Sequence, residues 1–292
     1  MSEAIKQFQI IKAISNIDHR ETDNLAIEEP LEIRLVYGPL QSRIVKSISV
    51  TMRTPGNDAE LATGFLFTEG IIKSAKDLTH VYHNTVACSE NKQNIIQAEL
   101  REDITPHLQN TERNFYTTSS CGVCGKGSIS AIRTVHEFAC QQETWQIDHE
   151  LLYRLPQVLQ DHQAVFADTG GLHASALFNL DGELLMLRED VGRHNALDKL
   201  IGSALKANLL PLSKSVLLLS GRASFELIQK AASAGITLVA AVGAPSSLAV
   251  ELAQEFNMTL IGFLRNQRFN IYSAPQRISS TLHPLNLIDL VA

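Results

Sequence analysis

Two closely spaced cysteines are the strongest chemical signal in this sequence. Cys121 and Cys124 lie in residues 119–128, Ser-Ser-Cys-Gly-Val-Cys-Gly-Lys-Gly-Ser, among three glycines. The glycines let the backbone approach a partner closely. Lys126, and a helix that Ser128 can cap, would both favour the thiolate, which is the nucleophilic form of cysteine. The segment therefore predicts a loop whose thiols can do chemistry.

Three chemistries and one inert interpretation compete for this loop. A structural zinc site needs four ligands, and the other cysteines, Cys88 and Cys140, stand alone in the sequence, so zinc is disfavoured. A thioredoxin-like dithiol needs a strand before the motif and a helix after it, which the sequence supplies only in part. The third chemistry is a nucleophilic or sulfur-carrying cysteine on a glycine-rich arm. A surface loop with incidental cysteines remains the inert alternative. The Cys-x-x-Cys spacing alone does not decide among these four interpretations.

A histidine motif at residues 168–175 is similar to the zinc signature of cytidine deaminases but lacks its chemistry. Those enzymes hold zinc with a histidine and two cysteines and move protons with a glutamate. After His173, Ser175 stands where the glutamate should be, and Ser246 and Ser247 lie where cysteines would be expected. The sequence argues against deaminase activity while allowing a shared fold. A hydrogen-bonded structural role for His173 is an equal alternative.

Polar residues gather where predicted strands end in the second half of the chain. Asp190, Arg193 and His194 crowd one such turn, and Arg222 lies beside the start of a helix at another. Residues 262–272 place two arginines and an asparagine between two strands, with Phe263 available for stacking. Helix caps and solvated turns would explain any one of these groups. Together they favour a shared pocket for an anionic ligand, since arginines and helix N-termini bind phosphate.

Composition and charge indicate a globular protein with a substantial core. Of the 292 residues, 45% are hydrophobic, and the formal net charge is −6 with no block of like charges. Duplex nucleic acid is not expected as a partner, because binding it needs a basic face. The N-terminus lacks a secretion signal, and the most apolar stretches, residues 216–219 and 236–242, are too short to cross a membrane. We therefore expect a cytoplasmic protein with no membrane partner, whose cysteines stay reduced.

The hydrophobic periodicity predicts an α+β chain with two domains. Residues 1–25 show weak periodicity and are expected to form a flexible N-terminal arm. Residues 26–135 are expected to form a smaller α+β domain ending in a mobile Cys-x-x-Cys loop, with strands at 31–37, 44–52, 79–83, 94–100 and 114–118 and a helix at 58–69. In the second strand, Ile48, Val50 and Met52 are expected to share one face.

Residues 136–292 follow a different pattern. A hairpin with an Asp181-Gly182 type I′ turn is expected first. Helices at 195–207, 223–234 and 246–256 then alternate with apolar strands at 215–219, 236–242 and 259–264. Such strands are covered on both faces, which predicts a three-layer α/β/α domain with a mixed or parallel sheet.

These segments together resemble the formate dehydrogenase accessory sulfurtransferase family, the FdhD/NarQ family. The matching stretches occur in one order over about residues 30–275, which no single motif would imitate. They are residues 64–71 (Gly-Phe-Leu-Phe-Thr-Glu-Gly-Ile), 119–125, 169–173, 188–199, 220–226 and 262–265.

The resemblance implies a sulfur carrier required for formate dehydrogenase activity. Cys121 would accept persulfide sulfur from a cysteine desulfurase, and Cys124 would assist. The acceptor would be the molybdenum cofactor, bis-molybdopterin guanine dinucleotide, before its insertion into formate dehydrogenase. The resemblance places its pocket at Phe263, Leu264, Arg265, Asn266, Gln267 and Arg268.

The resemblance also implies a homodimer and a cytidine-deaminase-like second domain, and no zinc or other resident metal is expected. A chaperone that binds the molybdenum cofactor without handling sulfur is the alternative function.

Overall fold

The computed structural model describes residues 4–84, 93–106, 108 and 145–279. The predicted strand at 114–118 lies outside these residues. So do Cys88, Cys121, Cys124 and Cys140.

The expected N-terminal arm carries a β-hairpin that the sequence did not predict. Strands β1 (Ile5–Ile14) and β2 (Ile17–Ala26) pair antiparallel along their whole length. The turn consists of Ser15 and Asn16, both with positive φ, as a type I′ turn requires. Most side chains on both faces are exposed. Because neither face is buried, the alternation by which strands are normally found is missing.

Four further strands form the sheet of the first half, and a helix packs on one face of it. The strand order is β4 (Ile44–Arg53), β3 (Glu29–Tyr37), β6 (Ile95–Leu100) and β5 (Leu78–His83). Helix α1 (Asp58–Thr68) buries Leu61 and Leu66 against Leu31, Ile33 and neighbouring strand residues. The strands and helix predicted here are present.

The prediction that Ile48, Val50 and Met52 share one face was wrong. Ile48 is buried, whereas Val50 and Met52 are exposed. The pairing of β4 with β3 shifts register between Ile33 and Arg34, which leaves Ile48 at a β-bulge. A bulge adds one residue to a strand and so reverses the alternation beyond it.

The second half is built on a six-stranded mixed sheet. Its order is β9 (Leu184–Asp190), β8 (His173–Phe178), β10 (Val216–Leu219), β11 (Leu238–Ala241), β12 (Thr259–Arg265) and β13 (Arg268–Ser273). Strands β10, β11 and β12 run parallel, while β8, β9 and β13 are antiparallel to their neighbours. Strand β7 (Ile147–Asp148) pairs separately with β14 (Ile278–Ser279).

Helices cover both faces of this sheet, and the predicted three-layer arrangement is confirmed. Helices α4 (Arg193–Lys206), α5 (Phe225–Ser233) and α6 (Ser247–Glu255) pack on the face that carries Leu217 and Leu219. Helix α2 (His149–His162) packs on the opposite face, which carries Val216 and Leu218. The short helix α3 (Ala164–Thr169) follows α2. Elements predicted between residues 195 and 264 are present with ends that differ by about two residues at most.

The β8–β9 hairpin was predicted correctly, but its turn was not. Asn179 Oδ1 accepts hydrogen bonds from the backbone N–H groups of Asp181 and Glu183. Gly182 has a positive φ and Asp181 does not, whereas a type I′ turn needs positive φ at both central residues. The asparagine side chain therefore organises a wider loop.

Helices α1 and α4 join the two halves at an unusually close crossing. A Cβ atom added at Gly64 would lie 1.9 Å from the carbonyl oxygen of Asp198, and one added at Gly202 would lie 1.9 Å from that of Glu60. The contact is reciprocal, so the backbones touch where both residues lack a side chain. Gly64, the first glycine of the segment 64–71, is thus explained by helix packing.

Candidate functional site

The polar strand ends of the second half meet at one edge of the sheet. Strands β10, β11 and β12 are parallel, so their carboxyl ends lie together. Strand β8 runs the opposite way, which brings its first residue, His173, to the same edge. Strand ends that meet at one edge of an open α/β sheet are a common place for ligands.

A cavity of about 820 Å³ opens at this edge, between the sheet and helices α2 and α3. Its sheet-side wall includes His173, Ser220, Val242 and the residues that follow β12. The opposite wall comes from α2 and the segment leading through α3 to Gly170 and Gly171. A volume of this size fits a nucleotide-sized ligand.

The turn between β12 and β13 supplies the positive charge of the cavity. Asn266 and Gln267 both have φ +53 and form a two-residue turn between the paired Arg265 and Arg268. This geometry is that of a type I′ hairpin turn. Arg265, Asn266 and Gln267 all border the cavity, so a guanidinium and two carboxamides face a possible ligand.

Phe263 is held in a strained conformation just before this turn. Its φ is +55, in the left-handed region that bulky residues rarely adopt. The strand pairing is irregular between Gly262 and Arg265, and the Phe263 N–H donates to the Gly243 carbonyl oxygen at 3.1 Å. The Arg265 guanidinium carbon lies 6.0 Å from the Phe263 ring centre. Such a backbone conformation costs about 1–3 kcal/mol and is often found at ligand sites. Strand irregularities of this kind can redirect a side chain there.

The six residues predicted to bind the cofactor therefore occupy different positions. Arg265, Asn266 and Gln267 line the cavity. Phe263 is half-buried beneath Arg265. Leu264 is fully buried in the core between the sheet and α2, and Arg268 is exposed at the start of β13.

The polar turn after β9 has a structural function that the sequence analysis did not give it. Asp190 is fully buried and lies 2.7 Å from the Lys199 ammonium. Its carboxylate also accepts from the N–H groups of Thr54 and Gly192 and from the Asn195 side chain. Burial raises the pKa of Asp190, while Lys199 acts in the opposite direction. The interpretation of Asp190 as a ligand-binding residue was wrong, because both of its carboxylate oxygens already bind groups of the protein itself.

His194 forms a second polar cluster, away from the cavity wall. Its Nε2 lies 3.2 Å from Ser224 Oγ and 3.8 Å from Glu226 Oε2. Burial opposes ionisation of Glu226, yet the hydrogen bonds from His194 and from the backbone lower its pKa to about 2. Neither Arg193 nor Arg222, which were expected in the pocket, is among the residues that border this cavity.

His173 borders the cavity and lies near Arg193 and His194. Burial lowers the pKa of His173, and the nearby charges of Arg193 and His194 lower it further. The imidazole is therefore neutral near pH 7 and can both donate and accept a hydrogen bond.

The predicted thiols Cys121 and Cys124 lie outside the described residues. Within the described ranges, no group of three or more His, Cys, Asp or Glu side chains is placed to hold a metal ion. In the same part of the chain, no helix is both long enough and apolar enough to cross a membrane.

The sequence analysis missed the helical wall of the cavity. Gln157, Gln160 and Gln163 on α2 and at its end line this wall, together with Tyr153 and Phe166. The helix itself had a usable signal, since Leu152, Leu155 and Leu159 follow helical spacing after an Asp148 cap. The glutamines belong to no motif, so only the fold identifies them as site residues.

Comparison with known proteins places these features in a family. The model of the FdhD/NarQ family matches residues 26–279. The sulfur carrier protein FdhD of Mycolicibacterium paratuberculosis is 50% identical over 259 residues, covering 88% of this chain and 92% of the relative. That of Streptomyces avermitilis is 46% identical over 282 residues, covering 96% and 97%. That of Saccharolobus solfataricus is 36% identical over 278 residues, covering 95% and 100%.

A solved structure has the same fold. A crystal structure described as a formate dehydrogenase accessory protein from Desulfotalea psychrophila superimposes with a TM-score of 0.70. It covers 94% of this chain and 100% of its own, at 23% sequence identity.

Proposed function

The chain belongs to the FdhD/NarQ family, and from this premise we propose that it is a sulfur carrier that serves formate dehydrogenase maturation. The observation that carries the proposal is the identity of up to 50%, over most of the chain, with proteins named sulfur carrier protein FdhD. The cysteine pair that such chemistry needs is present in the sequence at Cys121 and Cys124.

In detail, Cys121 receives sulfur from a cysteine desulfurase. The Cys121 thiolate attacks the outer sulfur of the persulfide on the desulfurase, the sulfur–sulfur bond of that persulfide breaks, and the desulfurase cysteine leaves as a thiolate. Cys121 then carries the persulfide, so the protein acts as a sulfurtransferase. Cys124 assists by exchange with this persulfide. The glycines between and after the two cysteines suit a carrier whose donor and acceptor cannot meet at once.

The acceptor in this proposal is the bis-molybdopterin guanine dinucleotide form of the molybdenum cofactor, bound as a substrate. The cavity supports it with space of about 820 Å³ and with Arg265. A guanidinium is well suited to a phosphate, and the carboxamides of Asn266 and Gln267 add hydrogen-bonding groups. The Leu264 side chain does not contribute, because it is buried in the core.

The setting of the proposed function follows from the same chemistry. We place the protein in the cytoplasm, where thiols remain reduced between transfers. We also propose that it acts as a homodimer, as the family resemblance implies. Formate dehydrogenase is the recipient of the finished cofactor.

Maturation of formate dehydrogenase in cells that lack the endogenous carrier tests this function. Wild-type protein and a Cys140→Ser control should restore formate dehydrogenase activity, whereas Cys121→Ser and Arg265→Ala should not. Full activity with Cys121→Ser, together with loss in Arg265→Ala, would instead support a chaperone that binds the cofactor without handling sulfur.

A further inference from the structure

The hairpin of β1 and β2 is attached to the rest of the fold at its base. The Ile27 N–H donates to the Ala4 carbonyl oxygen at 2.8 Å, and a Cβ atom added at Gly171 would lie 3.8 Å from the Ala26 Cβ. Beyond the base, most side chains of the two ten-residue strands are exposed. The FdhD/NarQ family model begins at residue 26, the last residue of β2, so the family assignment does not account for this element. Because an isolated two-stranded hairpin is at best marginally stable in water, its length indicates a partner surface.

The strand pairing divides the side chains of the hairpin between two faces. Residues directly opposite each other share a face, and successive pairs alternate between the faces. We call one of them the outer face, and its pairs are Lys6–Leu25, Phe8–Asp23, Ile10–Glu21, Lys12–His19 and Ile14–Ile17. The inner face consists of Ile5–Ala26, Gln7–Asn24, Gln9–Thr22, Ile11–Arg20 and Ala13–Asp18. The contact between Ala26 and Gly171 therefore belongs to the inner face.

The outer face is the one that lacks partners for its side chains among the described residues. On the inner face, Gln7 Nε2 donates to Asn24 Oδ1 at 3.2 Å and Gln9 Nε2 donates to Thr22 Oγ1 at 2.7 Å. On the outer face, four large apolar side chains are between 41% and 60% exposed, namely Phe8, Ile14, Ile17 and Leu25. Apolar side chains that are exposed together mark an interaction surface.

The charges of the outer face are separated by strand. Strand β1 contributes Lys6 and Lys12 to this face and no acidic residue. Strand β2 contributes Glu21 and Asp23 and no lysine or arginine. A face with cations along one strand and anions along the other is complementary to a copy of itself that is turned over, because each strand then meets the strand of opposite charge.

We propose that the outer face binds the outer face of a second copy of this chain, with β1 of each copy lying over β2 of the other. A two-fold axis along the strands produces this arrangement and makes its two halves identical, as in most homodimers. The contact covers the exposed apolar side chains and brings the lysines of each copy near the carboxylates of the other. This inference rests on the homodimer of the proposed function and assigns a surface to it.

The size of the outer face sets the expected strength of the dimer. It contains five of the ten residue pairs, so each copy contributes ten residues. Interfaces of standard size use about 20–30 residues a side, so this contact is small. The hairpin should therefore give a reversible dimer whose fraction rises with protein concentration.

Sedimentation velocity of the full-length protein over a series of concentrations tests the inference. Lys12→Glu and Glu21→Lys should each raise the Kd of the dimer roughly tenfold or more, because like charges then oppose each other in both halves of the contact. An equimolar mixture of the two variants should dimerise about as well as wild type, since each new charge meets an opposite charge in the other chain. Mixing restores no contact within either chain, so recovery identifies a contact between copies.

Arg20→Glu and Asp18→Lys are the matched controls. Both residues lie on the inner face, and these substitutions change the net charge by the same amounts as Lys12→Glu and Glu21→Lys. Neither control should alter the dimer, alone or mixed. All four residues are exposed, so the hairpin should remain folded in every variant.

The possible failures are distinguishable. If wild-type protein is a monomer at every concentration, the inference and the homodimer of the proposed function both fail, while sulfur carriage is unaffected. If wild-type protein dimerises and neither Lys12→Glu nor Glu21→Lys weakens the dimer, another surface forms it and the inference alone fails. If both variants weaken the dimer but their mixture does not recover it, the charges do not meet between copies and the inference fails as well. Slower sulfur loading of Cys121 in variants that remain dimeric would assign the outer face to the cysteine desulfurase instead.

Discussion

The close crossing of α1 and α4 makes a strong prediction about Gly64. In a Gly64→Ala variant, the new methyl group would lie 1.9 Å from the Asp198 carbonyl oxygen and 2.8 Å from the Gly202 backbone nitrogen. Both obstacles are backbone atoms of a helix, so neither can rotate away. To reach a normal contact of about 3.4 Å, the helices would have to separate by about 1.5 Å at this point.

The expected loss of stability is about 3 kcal/mol. Overpacking costs about 1–3 kcal/mol in protein cores, and a rigid backbone contact belongs at the upper end of that range. Separation would also disturb the buried pair between Asp198 on α4 and Lys230 on α5, whose charged atoms lie 2.9 Å apart and which Thr68 of α1 completes with a hydrogen bond. The better helix propensity of alanine returns about 1 kcal/mol.

Urea unfolding followed by far-ultraviolet circular dichroism measures this loss. Gly202→Ala should give a similar loss, since its methyl group meets the Glu60 carbonyl oxygen at the same distance. The double variant should lose less than the sum, because helices that have already separated accommodate the second methyl group. Gly171→Ala is the control, since its methyl group would meet its nearest atoms at 3.8 Å. A Gly64→Ala variant within about 0.5 kcal/mol of wild type would refute the reasoning, because only surface changes normally have so small an effect.

Three further predictions concern charged groups. Glu226 has a pKa of about 2 in the folded protein against an ordinary 4.5. Its ionised carboxylate, which is hydrogen-bonded to His194, therefore stabilises the fold above pH 4.5, and this stabilisation is lost as the pH falls towards 2. Glu226→Gln should therefore reduce the acid-induced loss of stability by about 2 kcal/mol in urea titrations from pH 6 to pH 3, and an unchanged profile would contradict this. The pKa of His173 should be below 6.5 by proton NMR, and the folded state should therefore lose stability as the pH falls below 6.5. Arg193→Gln should raise this pKa, although burial keeps it below 6.5. An unchanged pKa in this variant would show that Arg193 is not a cause of the shift. Lys199→Met leaves a buried carboxylate without its cation and should cost about 3–5 kcal/mol in thermal unfolding, whereas a loss under about 1 kcal/mol would show that the pair is dispensable.

The sequence predicted the parts of the fold in which burial repeats regularly. The apolar runs that became β10, β11 and β12 are buried on both faces, so their composition alone identifies them. The N-terminal hairpin was not predicted, because it buries neither face and so shows no alternation of apolar and polar residues. The alternation in β4 was misread because a bulge is a feature of strand pairing and leaves no local mark near Ile48.

The site was predictable to the extent that its residues form motifs. Arg265 and Asn266 were identified from a polar turn between strands and Gln267 from the family resemblance, and all three border the cavity. Asp190 was misjudged because its partners Thr54 and Lys199 come from elements that meet only in three dimensions. Gln163 could not be found, since a single glutamine has no signature until the fold places it beside the cavity.

The intact mass of the protein after sulfur loading tests the central claim most directly. Wild-type protein and the Cys121→Ser and Cys140→Ser variants are incubated with a cysteine desulfurase, its pyridoxal cofactor and cysteine. The account predicts a gain of about one sulfur atom on wild type and Cys140→Ser that reductant removes, and no gain on Cys121→Ser. An equal gain on Cys121→Ser, or no gain on wild type with a desulfurase shown to be active, would contradict the assignment of sulfur carriage to Cys121.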